Sequence, residues 1–294
     1  MSSSNRTFEL IGVPYDGAAT LGWPGSRFAP AKIRTALGWM TMRAENGQVY
    51  ALETGALHAA PLIIDGGDAH VVAHDLDATL RNTAARVAQS MRAGNVPILL
   101  GGDDSLLYAG TKGVHDAVNG QVAVIHFDAH LDAVDENEQQ GRFSHSSGMR
   151  RALELDRVHR KHTVQIGLRH FNFPSSRVYV EAEGPVQITA RTFDRIGTHE
   201  SVSRILEQIR GAETVHLSFD IDAVDPAFAP GAGAHEPGGL TSRQALDLVS
   251  ALAPYCDSFA ITEVNPLKDP EDLTSNLAAY LCYYFALFGA KKTS

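Results

Sequence analysis

Asp128, His130 and Asp132 alternate within the run DAHLD, and Asp220 and Asp222 alternate within DID. Side chains along an extended strand return to the same face every second residue, so each set can converge at a strand end. Four carboxylates and one imidazole gathered at one spot repel strongly unless a cation lies among them. Carboxylates suit Mn2+ or Mg2+, imidazole suits the transition metals, and two neighbouring cations neutralise that much negative charge most directly. A single Asp after a strand is weak evidence, because Asp is common in turns. Two alternating sets, each following an apolar run, are much harder to obtain by chance.

The elements that must position these residues are legible as short apolar runs. The segments Phe8 to Val13, Pro61 to Ile64, Val96 to Leu100, Val122 to Phe127, Thr163 to Ile166, Thr214 to Phe219 and Ser258 to Val264 read as strands. Several, such as VAVIHF and VPILL, are nearly continuous in apolar residues, as expected of a parallel sheet buried on both faces. Helical patterns run from Asp75 to Arg92, from Thr241 to Ala253 and from Ser275 to Phe288. The first ends on a basic turn and a Gly stop, and the second opens on a Thr cap. This alternation predicts an α/β fold. It is a doubly wound, largely parallel sheet with helices on both faces, formed by one domain over residues 1–294. In open α/β sheets the chemistry collects at the carboxyl ends of the strands. The stretches LLGGDDS, VIHFDAHLD, HLSFDIDAVDP and FAITEVNP each follow or close such a strand, so all four are expected at one sheet edge. His126 lies within the run Val122 to Phe127 and is read as a core histidine, off the ligand phase.

Composition narrows the partners. The net charge is -9, which argues against nucleic acid, since phosphate binding needs clustered Lys and Arg. There is no apolar run of the ~20 residues that a membrane span requires, and the opening MSSSNRTFEL lacks the apolar centre of a signal peptide. The expected location is the cytoplasm. Cys256 and Cys282 sit in apolar surroundings and read as reduced, buried thiols.

Taken together, Gly101-Gly102-Asp103-Asp104-Ser105, DAHLD at 128–132, SFDIDAVDPAFAPGAGAHEPGGLT at 218–241 and EVNP at 263–266 resemble the signature set of the ureohydrolase family. That family contains arginase, agmatinase, guanidino-acid hydrolases and formiminoglutamase. The opening GVPYDGAATLGWPGSRFAPAKIR is similar to its N-terminal pattern, and the motifs stand in family order over nearly the whole chain. The resemblance implies a parallel α/β sheet, a centre of two Mn2+ ions (with Ni2+, Co2+ or Mg2+ as alternatives) and a homotrimer or homohexamer. A heteromer with a homologue is the variant arrangement. It also implies roles. Asp128 and Asp220 would bridge the two metals, His130 and Asp222 would complete the second site, and Asp132 and Asp104 the first. His145, in FSHSSGMRR, corresponds to a His beside the substrate that relays protons. Glu263 corresponds to the carboxylate that pairs with a guanidinium, for which a planar bidentate fork is well suited.

Besides Ser146, which stands where the family usually has Gly after its His, two positions depart from the pattern. The family has His after GGD or GGE, whereas this chain has Asp104. Five Asp ligands against two divalent cations leave one net negative charge, where four would leave none. A more negative centre makes a coordinated water harder to ionise and favours a cationic substrate. The second departure is His235, where agmatinase-like chains have Pro, and it is a candidate substrate contact. Asp225 and Pro226 read as loop-shaping residues, and Glu236 lies in a turn that approaches the site.

The implied reaction is hydrolysis of a small cationic guanidino compound to urea and an amine. Water attacks the central carbon of a guanidinium held by Glu263, Asp132 passes a proton to the leaving amine, and His145 exchanges protons with solvent. The substrate tail is poorly defined. The stretch AVDENEQQG at 133–141 and the segment GLRHFN at 167–172 do not reproduce the arginase clamp, which favours agmatinase or a related guanidine hydrolase. Asp135, Glu136 and Glu138 either attract a cationic tail or form a solvated loop. Two alternatives stay open: a formiminoglutamase, given Ser146-Ser147-Gly148, and a catalytically weakened homologue that supports a partner subunit, given Asp104.

Overall fold

Strands and helices follow one another in the order expected of an α/β chain, and a computed structural model describes residues 6–19, 22–182 and 184–293. Residues 1–5 of the N-terminal segment, and Thr20 and Leu21 of the GVPYDGAATLGW stretch, lie outside the described residues. The elements are β1 (Thr7–Gly12), α1 (Ala29–Thr41), β2 (Gln48–Ala51), β3 (Ala56–Ala59), β4 (Leu62–Asp68), α2 (Leu76–Arg92), β5 (Asn95–Leu100), α3 (Ser105–Ala117), β6 (Val122–Phe127), α4 (Gly148–Leu153), β7 (Val158–Ile166), α5 (Pro174–Ala182), β8 (Val186–Ile188), α6 (Ala190–Ile209), β9 (Thr214–Asp220), α7 (Ser242–Leu252), β10 (Ser258–Thr262) and α8 (Leu273–Phe288). Eight strands form one sheet in the order β4-β1-β5-β10-β9-β6-β7-β8, and β2 pairs with β3 in a separate antiparallel hairpin. Every neighbouring pair in the large sheet is parallel.

The near-continuous apolar strands are explained by β6. Ala123, Ile125 and Phe127 enter one core with Ile33 of α1, Phe193 and Ile205 of α6, Leu248 of α7 and Phe285 of α8. Val122 and Val124 enter a second core with Leu80 and Val87 of α2, Leu106 and Leu107 of α3 and Met149 of α4. Both faces of the sheet are therefore covered by helices, as a parallel sheet requires. The helix ends are set locally. The Asp75 side chain accepts the Ala78 N–H at 2.9 Å, and Thr241 and Gln244 form a reciprocal capping box. Cys256 and Cys282 are buried free thiols. No helix among the described residues is long and apolar enough to cross a membrane.

The order of the central strands decides where the chemistry falls. β5, β10, β9 and β6 are consecutive neighbours and run parallel, so their carboxyl ends share one edge. The four polar stretches expected at one edge follow or close these four strands.

His216 on β9 gives a stability test. It is fully buried, its Nδ1 lies 2.7 Å from Ser258 Oγ, and its Nε2 has no hydrogen-bond partner. Burial first, and the charge of His126 second, pull its pKa down to about 3. A histidine whose folded pKa lies below its unfolded value of about 6.5 contributes stability above that value and loses it as pH falls towards the folded pKa. Near pH 5 the loss is on the order of 2 kcal/mol for this one group. The melting temperature of His216→Leu is expected to fall a few degrees less than that of the parent chain between pH 7 and pH 5. Equal falls would contradict the assignment.

Candidate metal centre

After β5 the chain turns through Gly101 and Gly102, with φ of 73° and 86°. A Cβ on Gly102 would stand 3.0 Å from the carbonyl oxygens of Val13 and Tyr15, so this turn admits only glycine. It delivers two buried carboxylates. Asp103 is consumed by structure: its Oδ2 accepts the Ala18 N–H at 2.8 Å and its Oδ1 the Ser105 N–H at 3.1 Å. Burial, then the charge of Glu263, raises its pKa to about 7. Asp104 stands at the N-cap position of α3, yet its side chain caps nothing. Its Oδ1 accepts the Thr262 hydroxyl at 2.6 Å, and its backbone N–H donates to Glu263 Oε1 at 3.0 Å.

The carboxylates of β6 and β9 join it in two groups that share Asp128. Ligand atoms of Asp104, His126 and Asp128 lie within 4.8 Å of one another, as do those of Asp128, His130 and Asp222. In the second group His130 Nδ1 is 3.0 Å from Asp222 Oδ2 and 3.4 Å from Asp128 Oδ1. Asp222 Oδ1 also accepts the Ala129 N–H at 3.0 Å. Although burial opposes it, His130 and that N–H hold the Asp222 pKa down to about 2. Burial and the Asp222 charge push Asp128 up to about 6. Burial would lower the His130 pKa, but Asp222 and Asp128 outweigh it and raise it far above the ordinary imidazole range.

Asp132 and Asp220 lie beside the two groups without entering either. Both carboxyls are raised well above the usual range by burial and then by their neighbours. The neighbours are Asp128 and Asp104 for Asp132, and Asp222, Asp128, Asp104 and Glu263 for Asp220. Asp104 Oδ2 and Asp128 Oδ2 are buried with no hydrogen-bond partner. Unpaired buried carboxylates are costly, and a divalent cation is the guest that satisfies oxygens arranged this way. The donor set therefore fits metal.

His126 corrects the sequence reading. It stands two residues before Asp128, so it shares the Asp128 face rather than leaving it. Its Nε2 is 3.3 Å from Asp128 Oδ2 and 3.4 Å from Asp104 Oδ2, at full burial. The strand periodicity was enough to find it.

Glu263 and His145 form the second half of the site. Glu263 follows β10 with φ of 59°, a conformation side chains rarely adopt, and Asp132 has φ of 45°. Backbone held in such wells gathers at functional sites. His145 Nδ1 lies 3.6 Å from Glu263 Oε1. Burial would lower its pKa, but Glu263, Asp103 and Asp104 outweigh it and raise it. Gly22 and Gly233 pack beside this pair: a Cβ on Gly22 would be 3.6 Å from His145 Cε1, and one on Gly233 only 2.1 Å from Glu263 Oε2.

His235 is not brought to these groups by its hydrogen bond. Its Nε2 donates to Pro230 O at 2.6 Å, in an open groove of about 710 Å³ with Pro226, Leu267 and Lys268. The neighbouring Glu236 does approach: its Oε1 is 3.6 Å from His130 Nε2, and its Oε2 is 3.7 Å from His170 Nε2. Arg169 fixes that loop by donating to the carbonyls of Glu236 and Asp222, each at 2.6 Å. Asp225 shapes the same loop, accepting the N–H groups of Ala227, Gly238 and Gly239. In the acidic stretch Asp135 is taken by arginines, with Arg151 at 2.6 Å and Arg150 at 3.3 Å. Its charge is thereby spent inside the protein.

The Arginase family model matches residues 6–288 of this chain. Proclavaminate amidinohydrolase from Streptomyces clavuligerus is 32% identical over 94% of this chain and 87% of its own length. Its solved structure superposes with a TM-score of 0.84 at 30% identity, covering 98% of this chain and 93% of that one. Formimidoylglutamase from Bacillus subtilis is 31% identical over 96% of this chain and 86% of its own length. The TM-score to its structure is 0.87, at 26% identity, with 100% and 90% covered. Guanidinopropionase from Pseudomonas aeruginosa is 32% identical over 93% of this chain and 84% of its own length. The chain belongs to the arginase family, that is, to the ureohydrolases, and is an amidinohydrolase by that membership.

Proposed function

We propose that this chain is a two-metal hydrolase that cleaves a guanidino C–N bond and releases urea and an amine. Its substrate is a small cationic guanidine of the agmatine or guanidino-acid type. The observation that carries the proposal is Asp128, which belongs to both ligand groups, its Oδ2 facing His126 and its Oδ1 facing His130. Asp104, Asp128, Asp132 and Asp220 would hold one cation, and Asp128, His130, Asp220 and Asp222 the other. Mn2+ is the assigned metal, with Ni2+, Co2+ and Mg2+ compatible with the same donors. When bound, the cations supply Lewis acidity and make water ionisable near neutral pH.

The chain's own residues do the rest. Glu263, its Oε1 anchored by the Asp104 N–H, offers its other oxygen to the guanidinium. Asp132 holds a proton for the leaving amine. His145, half-buried at the mouth of the cluster, carries protons to and from solvent. Asp132, Asp220 and His130, whose pKa values are raised by burial or by their charged neighbours, would give up their protons when cations are held. An assembly of three or six chains in the cytoplasm completes the proposal.

Gly233 tests the placement of Glu263. Because an added Cβ would meet Glu263 Oε2, Gly233→Ala should displace that carboxylate and lower kcat/KM by about 10²-fold, as misplacement by about an ångström does. Metal content and melting temperature should hold. An unchanged kcat/KM would remove Glu263 from the substrate site.

The substrate is tested by urea release from the Mn2+-loaded protein with agmatine, guanidinobutyrate, guanidinopropionate, arginine and simple guanidines. Formiminoglutamate is run in parallel and read as formamide. Turnover of one guanidine above the rest supports the proposal. Turnover of formiminoglutamate alone would overturn the guanidine assignment in favour of the formimino reaction.

A further inference from the structure

His126 has two ring nitrogens in unlike surroundings, and they fix what it can do. On one side, Gln165 Nε2 lies 2.9 Å from Leu131 O and 3.3 Å from His126 Nδ1. A carbonyl only accepts, so the atom facing Leu131 O is the amide nitrogen, with one of its two hydrogens on that carbonyl. The second hydrogen is left for His126 Nδ1, which must present its lone pair. The ring proton then resides on Nε2. On the other side, Nε2 faces Asp128 Oδ2 at 3.3 Å and Asp104 Oδ2 at 3.4 Å, and all three atoms are buried with no hydrogen-bond partner elsewhere.

We infer that His126 is a positioning residue for the metal centre. Gln165 locks it as the Nε2–H tautomer, and it shares that N–H between Asp104 and Asp128. This inference rests on the two-metal reading above. It assigns to His126 a donor role and excludes a direct ligand role, because a protonated ring nitrogen has no lone pair for a cation. Asp104 is thereby held from both ends, by the Thr262 hydroxyl on Oδ1 and by His126 on Oδ2. Each oxygen keeps lone pairs free for a cation. The arrangement has a particular purpose in this chain, because a carboxylate at position 104 sets a second negative charge near Asp128, and an N–H shared between the two offsets that repulsion. Partners of this kind orient ligands and set metal affinity by factors of about 10 to 100.

The test is Mn2+ binding to the folded, metal-stripped chain. Free Mn2+ is read by electron paramagnetic resonance, and melting temperature is recorded on the same samples. The parent chain should bind two ions. His126→Leu should weaken the ion held by Asp104 by about 10- to 100-fold and the other ion less. His126→Gln, whose amide nitrogen can donate in place of Nε2–H, should regain most of the lost affinity. Gln165→Met, remote from the carboxylates, should weaken the same ion by a smaller factor, and it carries the test if His126→Leu does not fold. Two ions bound to His126→Leu with parental affinity would overturn the inference, as would an unchanged affinity in Gln165→Met. A His126→Gln protein as impaired as His126→Leu would also overturn it, by showing that the imidazole itself is required. A parent chain that binds no Mn2+ would instead overturn the metal reading on which the inference rests.

Discussion

Changing Asp128 to Asn should lower urea release by at least about 10³-fold, at or beyond the upper end of what removal of a single preorganised transition-state donor costs. The reason is geometric. Asp128 is shared by the two groups of ligand atoms, its Oδ1 receives the His130 backbone N–H at 2.6 Å, and its buried Oδ2 faces His126 Nε2 at 3.3 Å. Asn keeps the shape but removes the charge that two cations would share. The variant should fold, because burial and Asp222 already push the Asp128 carboxyl towards its neutral form. The check is kcat together with metals per chain. Loss of turnover with fewer than two metals is the expected outcome, and near-parental turnover would show that the two groups do not act as one centre.

Glu263→Gln should act differently, on substrate and not on metal. Breaking a buried ion pair costs about 3–5 kcal/mol, because the remaining charge is left uncompensated. With tenfold in rate for each ~1.4 kcal/mol, kcat/KM should fall by about 10²- to 10³-fold. Glu263 carries a buried carboxylate whose pKa is raised by burial in spite of His145, so the neutral amide should not weaken the fold. Steady-state kinetics with agmatine and guanidinobutyrate, beside metal analysis, separate the outcomes. An unchanged kcat/KM would mean that the guanidinium is held elsewhere, and a loss of metal would reassign Glu263 to the cation site.

Much of this architecture was legible because parallel strands buried on both faces leave a strong mark. VAVIHF and VPILL are apolar throughout since alternate residues feed two cores, as Val122 and Val124 do on one side and Ala123 and Ile125 on the other. The polar runs at the strand ends stood out against that background. The helices α1, α3 and α6 and the short strands β2, β3 and β8 were harder to see, their apolar faces being narrow or interrupted by Gly. His126 is buried in the core as its type suggests, but its spacing from Asp128 places both on one face and so in phase with the site. Other features could not be read at all. Arg151 reaches Asp135 across 16 residues, and Arg169 reaches Glu236 across 67, so a one-dimensional pattern cannot show that Asp135 is paired with arginine or that the Glu236 turn is tied to the site. His235, singled out because agmatinase-like chains have Pro there, bonds Pro230 O through its Nε2, a contact that the sequence pattern does not show.

The central claim is that Asp128 joins two cations into one hydrolytic centre despite a carboxylate at position 104. It is tested most directly by titrating the metal-stripped protein with Mn2+ while urea release and metal content are followed on the same sample. Two ions per chain are expected at saturation, with turnover of a guanidine rising only as the second binds. A folded protein that saturates at one ion or none, and hydrolyses no guanidine with Mn2+, Ni2+ or Co2+, would contradict it.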